Sequence, residues 1–154
     1  MTALEIYREC ESLDRKITRI QERIERRRAL ATSCTARPLS ADGGSSGPRD
    51  ASGKMLDYVA DIEALESEQR KQAAAREITR ACCVYLGDLL PDNLAGVALR
   101  HYLEHKSYRV IADEMGYSMA HIKRLKGSAD EALAGIEITY WDREHVPVCS
   151  FKGR

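Results

Sequence analysis

Aromatic side chains are scarce in this chain, with one Trp, one Phe and seven Tyr making up 6% of its 154 residues. Strand-forming runs are equally few, so an all-β sandwich or barrel is excluded and an all-α protein is expected. No apolar run approaches the roughly 20 residues a bilayer span needs, and the N-terminus is charged throughout, so neither a membrane helix nor a secretory leader is expected. The expected location is the cytoplasm. Neither sign of charge dominates: 24 Lys and Arg balance 24 Asp and Glu. That balance excludes a strongly basic, indiscriminate nucleic-acid binder.

The signatures of common chemistry are also missing. Five cysteines, Cys10, Cys34, Cys82, Cys83 and Cys149, form an odd set without the two-residue gaps of a zinc ribbon or finger. Cys10 and Cys82 fall on apolar stripes and read as small core residues in a reducing compartment. His101 and His105 stand four apart on a helix but have no acidic or Cys ligand at a supporting spacing, so no metal is expected. A glycine-rich phosphate loop, a nucleophile elbow and a helical pair of carboxylates facing a His are absent. No catalytic residue and no cofactor are therefore expected.

What the chain does contain is concentrated between Tyr108 and Gly127, in the run Tyr-Arg-Val-Ile-Ala-Asp-Glu-Met-Gly-Tyr-Ser-Met-Ala-His-Ile-Lys-Arg-Leu-Lys-Gly. A helix-turn-helix needs apolar residues where two short helices cross, a tiny residue where their backbones approach, and a turn residue tolerant of positive φ. Ile111, Met115, Ile122 and Leu125 supply the first, Ala112 the second and Gly116 the third. At about 100° per residue, Ile122, Leu125 and Ala129 face inward, while Met119, Ala120, Lys123, Arg124 and Gly127 face outward, with His121 and Lys126 on the flanks. Such a unit places its second helix in the DNA major groove, so double-stranded DNA is the expected partner. Arg124 is the candidate for a bidentate contact to guanine, and Lys123 for a base or a phosphate. Ser118 caps the second helix, where exposed amides also suit a phosphate. Ser107 caps the first, with Arg109 beside it as a backbone contact. Residues 97–127 hold six Lys or Arg against three acids. The affinity should then come from a limited set of phosphate contacts.

Upstream, Leu90-Pro-Asp-Asn-Leu-Ala-Gly-Val-Ala-Leu-Arg-His-Tyr-Leu-Glu-His-Lys-Ser107 reads as a further helix opened by Pro91, with Leu94, Val97, Ala98 and Tyr102 on its apolar stripe. Over about residues 85–135 the combined run resembles the promoter-binding fourth region of sigma-70-type RNA polymerase factors. It is closer still to the small phage and prophage sigma-like late-transcription regulators of the ArpU and RinA kind, which residues 1–84 resemble only in having a long helical part. The resemblance implies an activator that binds promoter DNA and contacts RNA polymerase, with Arg109, Ser118, Met119, Ala120, Lys123 and Arg124 facing the DNA. No segment resembles the sigma region that melts promoters, so the chain is not a complete sigma factor. The capping-box pattern Ser128-Ala-Asp-Glu131 offers a break in the last helix. The core spacing of Ala129, Ala132, Leu133 and Ile136 favours one continuous helix to about Gly135.

Toward the N-terminus, Ile6, Cys10, Leu13, Ile17, Ile20 and Ile24 recur at steps of four and three, the seam of a coiled coil. Its expected partner runs from Lys54 to about Leu86, with Met55, Tyr58, Val59, Ile62 and Leu65 starting a stripe that weakens and resumes at Ile78 and Cys82. Between them, 36–53 reads as a mobile Gly/Ser/Pro linker. Helix one begins acidic (Glu5, Glu9, Glu11) and ends basic (Arg23, Arg26, Arg27, Arg28). Helix two begins with Asp57, Asp61 and Glu63 and ends with Arg70, Lys71, Arg76 and Arg80, so antiparallel packing sets opposite charges side by side. The expected architecture is a coiled-coil-like helical hairpin over 1–86, a sigma region 4-like helix-turn-helix domain over 87–136, and a tail over 137–154. That tail is either loose or an extended strap anchored by Trp141. The incomplete stripe on helix two leaves a homodimer through the hairpin open. Two alternatives stand beside the regulator: a DNA-packaging protein like the small terminase subunit, and a helical protein-interaction module.

Overall fold

The computed structural model describes residues 1–35, 48–141 and 147–151. Five helices, α1 (Ala3–Thr35), α2 (Pro48–Gly87), α3 (Asp92–Tyr102), α4 (Tyr108–Met115) and α5 (Met119–Ala134), are followed by strands β1 (Ile136–Trp141) and β2 (Pro147–Phe151). The protein is thus mostly helical. None of the described helices is long and apolar enough to cross a membrane. Two compact units are formed, one by Met1–Asp14 with Ala74–Arg154 and the other by Arg15–Ala73. The division falls inside α1 and α2 rather than at their ends.

In the Arg15–Ala73 unit the two long helices run in opposite directions: Gln21 meets Gln69 at 3.3 Å, and Arg28 meets Glu66 at 2.7 Å. Arg27 also lies 3.3 Å from Asp61, so the basic stretch of α1 stands beside acids of α2. Of Ile17, Ile20, Ile24, Ile62 and Leu65, only Ile24 is fully buried, and Met55 and Val59 are exposed. The expected linker is shorter than its composition suggests, because 48–53 is helical and α2 opens at Pro48. Proline suits a first helical turn, where its missing N–H has no intrahelical acceptor. Residues 36–47 of that stretch lie outside the described residues.

In the other unit, Ile6, Tyr7 and Cys10 of α1 pack with Cys82, Cys83 and Leu86 of α2. The same core takes in Tyr102 and Leu103 at the end of α3, Ala129 and Leu133 of α5, and Ile136 and Ile138 of β1. Tyr7 donates from its hydroxyl to the Cys83 carbonyl at 2.6 Å inside this core. Burial pushes the Tyr7 hydroxyl well above the usual tyrosine range. Asp14 accepts from Arg76 at 2.7 Å and lies 2.9 Å from His105 Nε2. His105 holds a positive φ of 53° in the connection from α3 to α4, and Lys106 N donates to the Arg100 carbonyl at 3.0 Å as the chain turns there.

The C-terminal segment after the last helix is extended. Helix α5 is continuous through Gly127 and stops at Gly135. The chain then becomes a strand paired antiparallel with β2, in register Ile136 with Phe151 and Ile138 with Cys149. Ile136 is buried as the sequence spacing implied, but as the first residue of a strand. From there the period is two: Ile136 and Ile138 are buried, and Thr139 is exposed. Ile138 N donates to the Met1 carbonyl at 2.8 Å, and Thr2 bridges Glu137, so the first residues of the chain border β1. The Trp141 side chain and residues 142–146 and 152–154 of the expected strap lie outside the described residues.

Candidate nucleic-acid interface

A second, smaller core fixes the geometry of α4 and α5. Val97, Ile111, Ala112, Ile122 and Leu125 are buried together, with Leu94, Tyr108 and Met115 packed against them. Burying each large aliphatic side chain is worth about 1.5–3 kcal/mol, enough for four of them to fix how three short helices cross. The turn between α4 and α5 is three residues, Gly116, Tyr117 and Ser118. Gly116 takes φ 69° and ψ 29°, and both its own N–H and that of Tyr117 return to the Ala112 carbonyl. A side chain at Gly116 would meet no atom within 4 Å, so the demand there is conformational rather than steric.

Both expected caps are present. Ser118 Oγ accepts from His121 N at 3.2 Å, and Ser107 Oγ accepts from Val110 N at 3.5 Å. Each serine has extended backbone and an exposed side chain at the start of its helix.

The six basic residues of 97–127 fall into two sets. Arg100 and Lys106 both bind Glu114, at 3.1 Å and 2.6 Å, and Lys106 also binds Glu104 at 2.7 Å. Hydrogen bonding to Glu104 and Glu114 raises the Lys106 ammonium above its ordinary value, and Lys106 in turn lowers Glu114. Lys126 is held by Asp130 at 2.5 Å and stands 5.2 Å from the centre of the Tyr102 ring. Subtracting these three leaves Arg109, Lys123 and Arg124. All three are exposed, and none of them makes an ion pair or hydrogen bond among the described residues. Lys123 only stands over the Tyr108 ring, at 6.0 Å.

Met119, Ala120, Gly127 and Ser128 are exposed beside Lys123 and Arg124 on α5. His121 is half-buried, its ring edge-on to Tyr117 at 4.8 Å. Of the nine sequence-derived positions, Ser107, Arg109, Ser118, Met119, Ala120, Lys123 and Arg124 are open to solvent. His121 lies at the margin, and Lys126 is engaged by the body of the unit.

Sequence reasoning gave no place to Tyr117 and Val110, which are exposed on α4 and its turn. Tyr117 sits in the turn, where a helical wheel assigns no direction. The engagement of Lys126 had a signal, since Asp130 follows it by four residues. His101 stacks on Tyr108 at 5.2 Å, while His105 pairs with Asp14, so the two histidines serve different contacts. No family model, no curated protein and no solved structure matches the chain.

Proposed function

We propose that this chain is a sequence-specific, non-enzymatic DNA-binding regulator of transcription, of the phage sigma-like type, acting in the cytoplasm of a bacterial host with RNA polymerase. The reading is carried by one observation. Of the six basic residues of 97–127, Arg100, Lys106 and Lys126 are paired with carboxylates, and the three that remain, Arg109, Lys123 and Arg124, are exposed on the two helices that flank the capped turn. Ion-paired side chains stabilise the unit; unpaired ones at this density suit an anion from outside. Small neighbours, Ala120 and Gly127, leave room for close approach by α5. An arginine with no internal partner, Arg124, supports bidentate reading of guanine, and Lys123 and Arg109 support phosphate contacts.

The deciding experiment is selection of preferred duplexes from a random library, followed by titration of the best one with the wild-type chain and with Lys123→Ala/Arg124→Ala. A bidentate contact discriminates by about 1–3 kcal/mol, so the double variant should lose roughly tenfold or more in affinity for the selected duplex while retaining its fold. Equal affinity of the two proteins would refute the assignment. Sedimentation of the free protein separates the packaging alternative, which requires a ring of many subunits.

A further inference from the structure

The Arg15–Ala73 unit contains a groove of about 390 Å³ between α1 and α2. Its floor is Ile20 and Leu65, both half-buried. One wall carries Lys16, Arg19 and Arg23, which with Ile20 occupy positions i, i+3, i+4 and i+7 of α1 and so line a single face. The other wall carries Glu68 and Gln72, and the Gln72 amide donates to the Glu68 carboxylate at 2.6 Å. All three cations are exposed and make no ion pair or hydrogen bond among the described residues. Elsewhere in this unit Arg26, Arg27 and Arg28 each reach a carboxylate, while Arg70 and Lys71 reach none among the described residues.

We propose that this groove docks an acidic amphipathic helix of another protein, with an apolar residue seated on Ile20 and Leu65 and carboxylates facing Lys16, Arg19 and Arg23. The chemistry follows from two unmet demands at one place. Two helices alone leave the seam of this unit half-covered, as the exposure of Ile17, Ile20, Ile62 and Leu65 records, and a third helix is the element that covers such a stripe. The cations that rim the apolar floor specify the charge of that helix. A nucleic-acid backbone meets the second demand but not the first, because phosphates gain nothing from an apolar floor and are repelled by Glu68. The inference is independent of the DNA reading, since no residue of α4 or α5 takes part.

The test is fluorescence anisotropy with the full chain and a labelled synthetic peptide of about four helical turns, carrying Glu at i, i+3 and i+7 around one Leu. Three comparisons decide it: the same peptide with Leu→Ser, the same peptide with Lys for Glu, and the protein variant Lys16→Glu/Arg19→Glu/Arg23→Glu, whose changes are all on exposed positions. Binding should weaken by about tenfold or more in each comparison, and Lys123→Ala/Arg124→Ala should leave it unchanged. A peptide that binds as well with Ser as with Leu would reduce the groove to a bare charged surface and overturn the proposal. So would a charge-reversed protein that binds the acidic peptide normally. Loss of duplex DNA binding in the charge-reversed variant, with no peptide effect, would assign the groove to nucleic acid instead.

Discussion

Lys126 and Asp130 form an ion pair at 2.5 Å one turn apart on α5, and the Tyr102 hydroxyl donates to the same carboxylate at 3.0 Å. The ammonium is thereby turned toward α3 and away from the face that carries Lys123 and Arg124. Burial alone would lower the Lys126 pKa, but Asp130 and Tyr102 hold it above the ordinary lysine value.

That pairing separates structural from binding cations by experiment. Lys126→Ala should destabilise the fold by about 1–3 kcal/mol, because it leaves a partly buried carboxylate with one partner fewer. DNA affinity at saturating folded protein should stay within about twofold, as for a cation outside the phosphate contacts. Arg124→Ala should show the reverse pattern. Denaturant melts and DNA titrations on both variants check this.

Salt dependence counts the contacts. With three free cations per protomer, the slope of log K against log salt should lie between about −2 and −3, and Arg109→Ala or Lys123→Ala should each reduce it by about 1. A slope twice as steep would implicate cations outside α4 and α5.

Gly116→Ala isolates a backbone term. No atom stands within 4 Å of where the methyl would go, so the cost is that of forcing a left-handed φ on an L residue, about 1–2 kcal/mol. Gly116→Asn should cost less, because Asn visits this region more readily. Thermal unfolding of the three proteins should rank them Gly, Asn, Ala.

His101 gives a pH dependence. Burial first, and then the nearby Lys126 charge, lower its pKa from 6.5, while Glu11, Asp130 and a backbone hydrogen bond with Lys106 act in the opposite direction. Folding therefore favours the neutral imidazole, in keeping with a buried Nδ1 that has no hydrogen-bond partner among the described residues. The group's contribution is fully present above pH 6.5 and is lost as pH falls through the lowered folded value. His101→Phe keeps a ring against Tyr108 and removes the titration, so its melting temperature should fall less between pH 7.5 and about 5.5 than that of the wild type. Identical pH slopes would exclude the histidine as the source.

Much of α3 to α5 was legible because short helices with strict core positions leave few alternatives. Ile111, Ala112, Ile122 and Leu125 are buried where the spacing put them, and Ser107, Gly116 and Ser118 sit at helix ends because their local chemistry allows little else. Less legible was everything that depends on distant partners. The heptad pattern of α1 reads as one uniform seam. Yet Ile6, Cys10 and Leu13 are buried, the first two in a shared core with α5 and β1, while Ile17 and Ile20 are only half-covered in the other unit. The same limit hid the strand after Gly135: Ile136 and Ile138 fit a helical or an extended reading, and pairing with residues 147–151 settles it. The candidate interface was visible as a set of cations, but of the ion pairs that thin six of them to three only Lys126 with Asp130 is local, while the pairing of Arg100 and Lys106 with Glu114 is a tertiary fact.

Gly127 lies on the exposed side of α5, in mid-helix, with no atom within 4 Å of the methyl group it lacks. Alanine there would fit the free protein and would strengthen the helix by about 1 kcal/mol. Nothing among the described residues, then, accounts for a bare backbone at that position. Its effect is a notch one turn beyond Lys123, a clearance on the open side of the helix.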